Sequence, residues 1–472
     1  MRTALKKFTE FTRSLLPHET AWLLSVHQLK DEERLRILQR IDYNARHIDQ
    51  FTPYDTSIDK RKYSHLKQWI QDRLHSIDVD VHLRQILAWE QKINTDSLEV
   101  EEERRLCRAI RQYRHPHYFF SRFYELVAEY RHFLLIRLRY EDYELVEQFL
   151  ECHRNDYRRA KEIKEQLHQA SLDIVAHYAG KQPHSKQWIP WLSEVFFDES
   201  LEGHIRYLAL VRLVFICHNY RQYDILRDKF AYLNEQLAKG HYYSKRLLLN
   251  YYSNRLMLHS HFGEYDKAVY YGYLSIRAHT YDRLLYVNNL CAVLLRLNRF
   301  QEALNLMRHH AAEAKRTQNL HNRIGFVAFY MKTMTKNGLH RNAAQYGEVF
   351  LKVYAREVMQ YRWQLFFSVL FEALCHEGAF EKILRMAGKY RLLDHDRTTE
   401  QSPHYLPLIP IYVEMARLME GLTTKVRFHH WLQAVLDQYP PEQYATLRHL
   451  LEGLLPLVPE IAPLLKRQRH ES

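Results

Sequence analysis

The chain has 472 residues, 46% hydrophobic and 26% charged, a balance that excludes wholesale disorder and fits two or three domains or one long repeat array. Glycine (12) and proline (13) fill 25 positions, where average usage gives roughly 12% of a chain, so tight turns are scarce and continuous helix dominates. The net charge of +12 is a mild bias toward acidic partners or nucleic acid.

The first 118 residues read as a helical N-terminal region. HETAWLLSVHQLKDEERLRILQRI and KYSHLKQWIQDRLHSI carry apolar residues at helical spacing. In INTDSLEVEEERRL, Asp96 and Glu99 are spaced as a capping box, which predicts a helix start there. The opening MRTALKKFTEFTRSLLPHE is basic but holds no apolar signal core, and no run approaches the ~18 apolar residues of a membrane span. Five cysteines, none in a CxxC pair, argue against a disulfide framework or zinc ribbon, and a cytoplasmic location is expected.

RRLCRAIRQYRHPHYFFSR (104–122) is the strongest nucleic-acid cue. Arg104, Arg108 and Arg111 share one helix face, with Tyr113, Tyr118 and Phe119 near for stacking. Glu101 offers the bland alternative, since it precedes Arg104 and Arg105 by three and four residues in the favourable ion-pair order.

From residue 119 to 393 a motif recurs. A small or aliphatic residue follows an aromatic by three places in GEYDKA (Ala268), NRFQEA (Ala303) and GAFEKI (Ile383). GLHRNA (Ala343) is similar, and weaker copies are RQYDIL (Leu226) and EDYELV (Val146). The steps are 226 to 268 (42), 268 to 303 (35), 303 to 343 (40) and 343 to 383 (40). Val287, Leu290, Leu294 and Leu297 precede one turn at helical spacing, and Phe300, Ala303, Met307 and Ala311 follow it. Each unit therefore reads as helix, short turn, helix, with Gly263, Asn298, Gly338 and Gly378 ending the first helix. Tyr265, Phe300 and Phe380 are expected to pack over that end. Of Tyr270, Tyr271 and Tyr273, at least one should be exposed, because they cannot share a helix face. Such a hairpin cannot bury its apolar face alone, so copies should stack.

SHFGEYDKAVYYGYLSI resembles the second half of a tetratricopeptide (TPR) repeat, and YVNNLCAVLLRLNRFQEALNL resembles most of one. The resemblance implies an all-α, right-handed α-solenoid of TPR-like hairpins, with HEAT-like pairing as the alternative. Most steps exceed the usual TPR length of about 34, and the consensus Trp and Pro are missing. A TPR array implies a concave groove, which by register would be lined by Asn254, Met257, Asn288, Asn289, Arg296, Lys332 and Lys336. A carboxylate clamp is not reproduced, since Met257 and Ala292 stand where its second asparagine would be.

The turn formers in AGKQPHSKQWIPW (179–191) and HDRTTEQSPHYLPLIP (395–410) predict loops. Residues 394–472 read as a loop and a helical C-terminal cap, with GLLPLVPEIAPLL docking on the last hairpin.

GxxxxGK[ST], GxGxxG, GxSxG and HExxH are all missing, so no catalytic residue or cofactor is expected. His115 and His117 form an HxH pair, and His309–His310 and His429–His430 are adjacent. Adjacent imidazoles on a helix point about 100° apart, so no metal is expected either. The leading expectation is a non-enzymatic scaffold or adaptor that binds a protein or peptide in the groove, and the positive net charge points to an acidic one. RNA or DNA binding through the 104–122 stripe is the alternative.

Overall fold

A computed structural model describes residues 5–178, 185–399, 405–438, 447–448 and 451–462. The fold is all-α, 79% helical, with no strand among the described residues. The chain divides into two compact units, Met1–His279 and Thr280–Ser472.

The first unit begins with α1 (Lys6–Arg13), α2 (Pro17–Val26), α3 (Glu32–Arg46), α4 (Lys60–Ile77) and α5 (Val79–Asn94). Aspartates set three of these starts: Asp31, Asp59 and Asp78 accept from the first free N–H groups of α3, α4 and α5. The expected start at Asp96 is not one. Asp96 takes a left-handed φ of 50° just past the end of α5, where Ser97 N–H bonds back to Lys92 O at 2.9 Å. The next helix, α6 (Val100–Arg111), begins four residues later. The Asp96 side chain instead accepts from Arg137 at 2.5 Å.

Then follow α7 (Phe120–Ile136), α8 (Tyr140–Cys152), α9 (Arg154–Tyr178), α10 (Ile189–Phe197), α11 (Gly203–Tyr220), α12 (Arg227–Ala238), α13 (Lys245–His261) and α14 (Tyr265–Ser275). The expected loop at 179–191 lies outside the described residues up to 184. Beyond that it is helical, because Pro190 sits in the first turn of α10, where its missing N–H costs nothing.

The second unit holds α15 (Arg283–Arg296), α16 (Phe300–Arg316), α17 (Leu320–Lys336), α18 (His340–Tyr361), α19 (Trp363–His376), α20 (Phe380–Lys389), α21 (Leu392–Thr399), α22 (Leu408–Met419) and α23 (Lys425–Leu436). Of the loop expected at 395–410, residues 395–399 are helix and 400–404 fall outside the described residues. Pro410 is taken into the first turn of α22. Leu454, Val458 and Ile461 of the C-terminal segment are buried in the same core as Phe428 and Leu432 of α23.

The recurring motif is a recurring turn. Gly263, Asn298, Gly338 and Gly378 all take left-handed φ values, between 57° and 75°. In each case the next N–H reaches back five residues to a carbonyl at 2.9 Å: Glu264 to His259, Arg299 to Leu294, Leu339 to Met334 and Ala379 to Leu374. This is the six-to-one closure that satisfies a helix's orphan carbonyls. The second helix then starts two residues after the left-handed residue, and Ala268, Ala303, Ala343 and Ile383 are all fully buried. Arg221 (φ 55°) repeats the turn with a Gln222-to-Cys217 bond. Leu138 (φ 55°) does so between α7 and α8, which puts Tyr140, not Tyr143, in register, so Val146 is three residues out of phase.

Neighbouring turns also touch in a repeated way. Tyr223, two residues after its turn, stacks on His261, two residues before the next, at 4.3 Å between centroids. His340 and His376 repeat that relation at 4.1 Å. Sequential helix pairing of this kind is compatible with a helical repeat. Tyr265 is only half-buried, so its packing over the helix end is partial. Tyr270, Tyr271 and Tyr273 are all half-buried rather than one standing out. Tyr271 stacks on His259 at 5.3 Å, which covers one face of its ring.

Candidate functional surfaces

The seven positions expected to line one groove are split between the units. In the first unit, Asn254 Nδ2 donates to Asn250 Oδ1 at 2.9 Å, and Tyr207 donates to the same oxygen at 2.7 Å. That amide is therefore committed to its own helix face. Met257 is half-buried on α13. In the second unit Asn288 is 2% exposed, and its Nδ2 donates to Asn322 O on α17 at 3.1 Å. It ties two helices together rather than facing a ligand. Asn289 and Lys332 are half-buried, Arg296 and Lys336 are exposed, and Lys336 pairs with Glu372 at 2.9 Å.

The basic stripe divides likewise. Arg104, Arg105 and Arg108 are exposed and converge on Glu101 at 3.6–3.7 Å, a solvated ion-pair face of small energetic worth. Arg111 is exposed as well. The aromatics turn inward. Tyr118 is 9% exposed and lies so close to Gly203 that a Cβ there would sit 2.4 Å from its ring. Tyr113 stacks on Phe123 at 5.5 Å. Neither ring offers a face on which a base could stack.

Of the histidine pairs, His309–His310 and His429–His430 do not converge: His310 bonds Glu313, and His429 bonds the Glu460 carbonyl. His115 and His117 part company too. His117 packs near His82, and burial pushes its imidazole down to about 4. His115 turns instead toward His153 and Asp156, and these three bring one ligand atom each within 4.8 Å of one another. The sequence carried no hint of this meeting, because the partners lie some forty residues away.

A second feature lies on α18. Its buried stripe (Ala343, Ala344, Gly347, Leu351) packs the hairpin, and Gly347 allows close approach, since a Cβ there would meet Met331 Sδ at 2.4 Å. A further row (Tyr346, Val349, Val353, Tyr354) lies on the outer side of α18, over the buried Phe350 and beside Ala314 of α16 and Val327 of α17. Together they line a groove of about 190 Å³. Val349 is 54% and Val353 68% exposed. Arg323 is part of the lining, its guanidinium 4.6 Å from the Tyr354 ring centre. Lys315 joins the lining, and Arg316, Lys352 and Arg356 are exposed on the same helices. Of the nearby acids, Glu313 pairs with Arg283 and Glu348 with Lys382 at 2.7 Å, while Glu357 lies half-buried one turn beyond Val353. In the sequence this row is indistinguishable from core.

No family model, curated protein or solved structure matches this chain. No helix among the described residues is long and apolar enough to cross a membrane.

Proposed function

We propose that the protein is a non-enzymatic adaptor of TPR-like hairpins, wound as a right-handed solenoid, and that it captures an acidic amphipathic helix along α18. The row of exposed valines beside a cation-rimmed groove carries this reading. Two large apolar side chains left in water on one helix face are costly unless something covers them. A groove of about 190 Å³ is below the ~300 Å³ floor of small-ligand pockets, yet it accepts one or two anchoring side chains. From Tyr346 to Val353 the row runs seven residues, about 10 Å of helix, which suits anchors at i, i+3 or i+4 and i+7. The cations around it select an acidic flank and speed encounter rather than add much affinity. Hairpins closed by the same hydrogen-bonded turn hold the row rigid, so little backbone entropy is lost on binding.

The test is fluorescence anisotropy with a synthetic helix carrying Leu anchors at that spacing and Glu between them. Binding should weaken at least tenfold in Val349→Glu/Val353→Glu, and salt should slow association. Both valines are exposed, so the variant should keep its helix content. Unchanged affinity in the variant would reject the groove. Equal binding of a Lys-substituted helix would reject the acidic partner.

A further inference from the structure

We infer that His115, His153 and Asp156 form a binding site for a divalent transition metal of the zinc class. The three residues come from separate places. His115 lies in the link between α6 and α7, His153 caps the end of α8, and Asp156 sits in the first turn of α9. His153 Nδ1 stands 3.3 Å from Asp156 Oδ2, and His115 Nε2 stands 3.8 Å from the same oxygen. A tetrahedral metal with bonds of about 2.0–2.2 Å has ligand-to-ligand edges of about 3.3–3.6 Å. The His153–Asp156 separation falls on such an edge, the His115–Asp156 separation is about 0.2 Å longer than one, and all three ligand atoms lie within 4.8 Å of one another.

The surroundings fix the donors as a metal site would need. The Tyr113 hydroxyl meets His115 Nδ1 at 3.3 Å; a metal on Nε2 would shift the ring proton to Nδ1, which would then donate to that hydroxyl. Tyr113 is itself held, because its hydroxyl accepts from His117 N–H at 3.3 Å. Orientation of one ring nitrogen by a second partner is the usual support for a ligating imidazole. Phe120 packs edge-on against His115 at 4.6 Å, and Phe149 lies 4.9 Å from His153. His115 Nε2 at present lies 3.1 Å from Ser200 O, a bond that coordination would replace. On α9, Arg154 pairs with Glu151 and Arg159 is occupied by Asp198 and Ser200.

Donor chemistry sets the class. Two imidazoles and one carboxylate suit zinc, cobalt or nickel, whereas magnesium and calcium prefer oxygen throughout. Asp156 is half-exposed, so solvent can supply the fourth ligand. The metal would clasp the 112–118 link to the α8–α9 joint, a role separate from the groove on α18.

Chelator-treated full-length protein titrated with Zn²⁺, and with Co²⁺ read through its visible d–d bands, tests this. One tight equivalent with a tetrahedral cobalt spectrum is expected. His153→Ala and Asp156→Asn should each weaken it more than about 100-fold, and Tyr113→Phe by about tenfold. His309→Ala, at an exposed histidine elsewhere, should leave it unchanged. Asp156 is exposed enough that its Asn variant should fold, which circular dichroism checks. Absence of a tight equivalent, loss in only one of the two ligand variants, or preference for Ca²⁺ over Zn²⁺ overturns the assignment.

Discussion

The two units share one turn but differ in what fills the space behind it. In the first unit the N-terminal helices are fastened to the later hairpins by buried polar groups. Glu19 is fully buried, accepts from Leu16 N–H and from the Tyr243 hydroxyl at 2.6 Å, and pairs with Lys245 at 2.5 Å. His18 bridges Tyr252 at 2.7 Å and Asn234 at 3.0 Å. Arg277 donates to Leu15 O and Ala45 O. In the second unit the core around α19 is apolar, with Phe366, Phe367, Leu370 and Phe371 buried outright, and polar ties such as that from Asn288 to Asn322 lie elsewhere. Polar fastening specifies one partner surface for each helix, while apolar filling is less particular about geometry but gives more free energy.

Glu19→Ala should break this contrast most sharply. It leaves the Tyr243 hydroxyl without its acceptor and Lys245 with only the Ser14 carbonyl at 3.0 Å, a loss of about 2–3 kcal/mol. Hydrogen exchange should show protection lost first around residues 14–22 and 243–247. Glu19→Leu with Lys245→Met should recover most of it, because a buried pair replaced by packed apolar groups is near neutral. If Glu19→Ala costs under about 1 kcal/mol, the polar fastening is decorative. Phe367→Ala should cost about 3–5 kcal/mol in the second unit, but without any dependence on salt.

Acid should act next. Burial lowers the values of His18, His115, His117, His204 and His259 in the first unit, and of His310, His321 and His376 in the second. A histidine lowered in the folded state binds protons more readily when unfolded, so its cost is nil above pH 6.5. The cost grows as pH falls toward the folded value and is constant below that. For His117, moved from 6.5 to about 4, the ceiling is about 3 kcal/mol. Denaturant melts between pH 7 and 4 should show this decline, with the first unit losing exchange protection earlier. His117→Asn should flatten the slope; an unchanged slope would place the acid sensitivity elsewhere.

Overpacking comes third and belongs to the second unit. Gly347→Val would drive a side chain into Met331 Sδ and Leu370 Cδ1, at 2.4 and 2.9 Å from the Cβ position, costing about 1–3 kcal/mol. Met331→Ala in the same chain should relieve part of it, a coupling that thermal melts of the four variants would reveal. Additive losses would mean that the two helices separate instead.

The hairpins were legible because they rest on local chemistry: a left-handed residue, a helix start two places on, and a small residue three beyond that. EDYELV misled by three places because Leu138 carries the left-handed turn with no glycine to mark it. Asp96 misled for the same reason, as a turn residue resembling a cap. Surfaces were less legible. Asn254 and Asn288 look like ligand-facing amides until Asn250 and Asn322 are seen beside them, and those partners are fixed by packing. The α18 row and the meeting of His115 with His153 and Asp156 depend on contacts that no periodicity encodes.

The smallest effects test whether the turn is one device used in both units. Nothing lies within 4 Å of a Cβ built on Gly263, Gly338 or Gly378, so an alanine there meets no clash and only the left-handed backbone is penalised. That cost is roughly 1–2 kcal/mol, partly offset by the lower entropy of the unfolded alanine chain. A net loss near 1 kcal/mol should therefore appear at all three sites. Asn298 already tolerates positive φ, so Asn298→Gly should change stability by no more than about 0.5 kcal/mol. Leu138 tolerates it poorly and is exposed, so Leu138→Gly should be neutral to stabilising, by up to about 1 kcal/mol. Equal losses at Gly263 in the first unit and Gly338 in the second would mean that the turn works independently of what packs behind it. A much larger loss at Gly263 would show that the polar fastening depends on the turn, and the two units would then differ in kind as well as in filling.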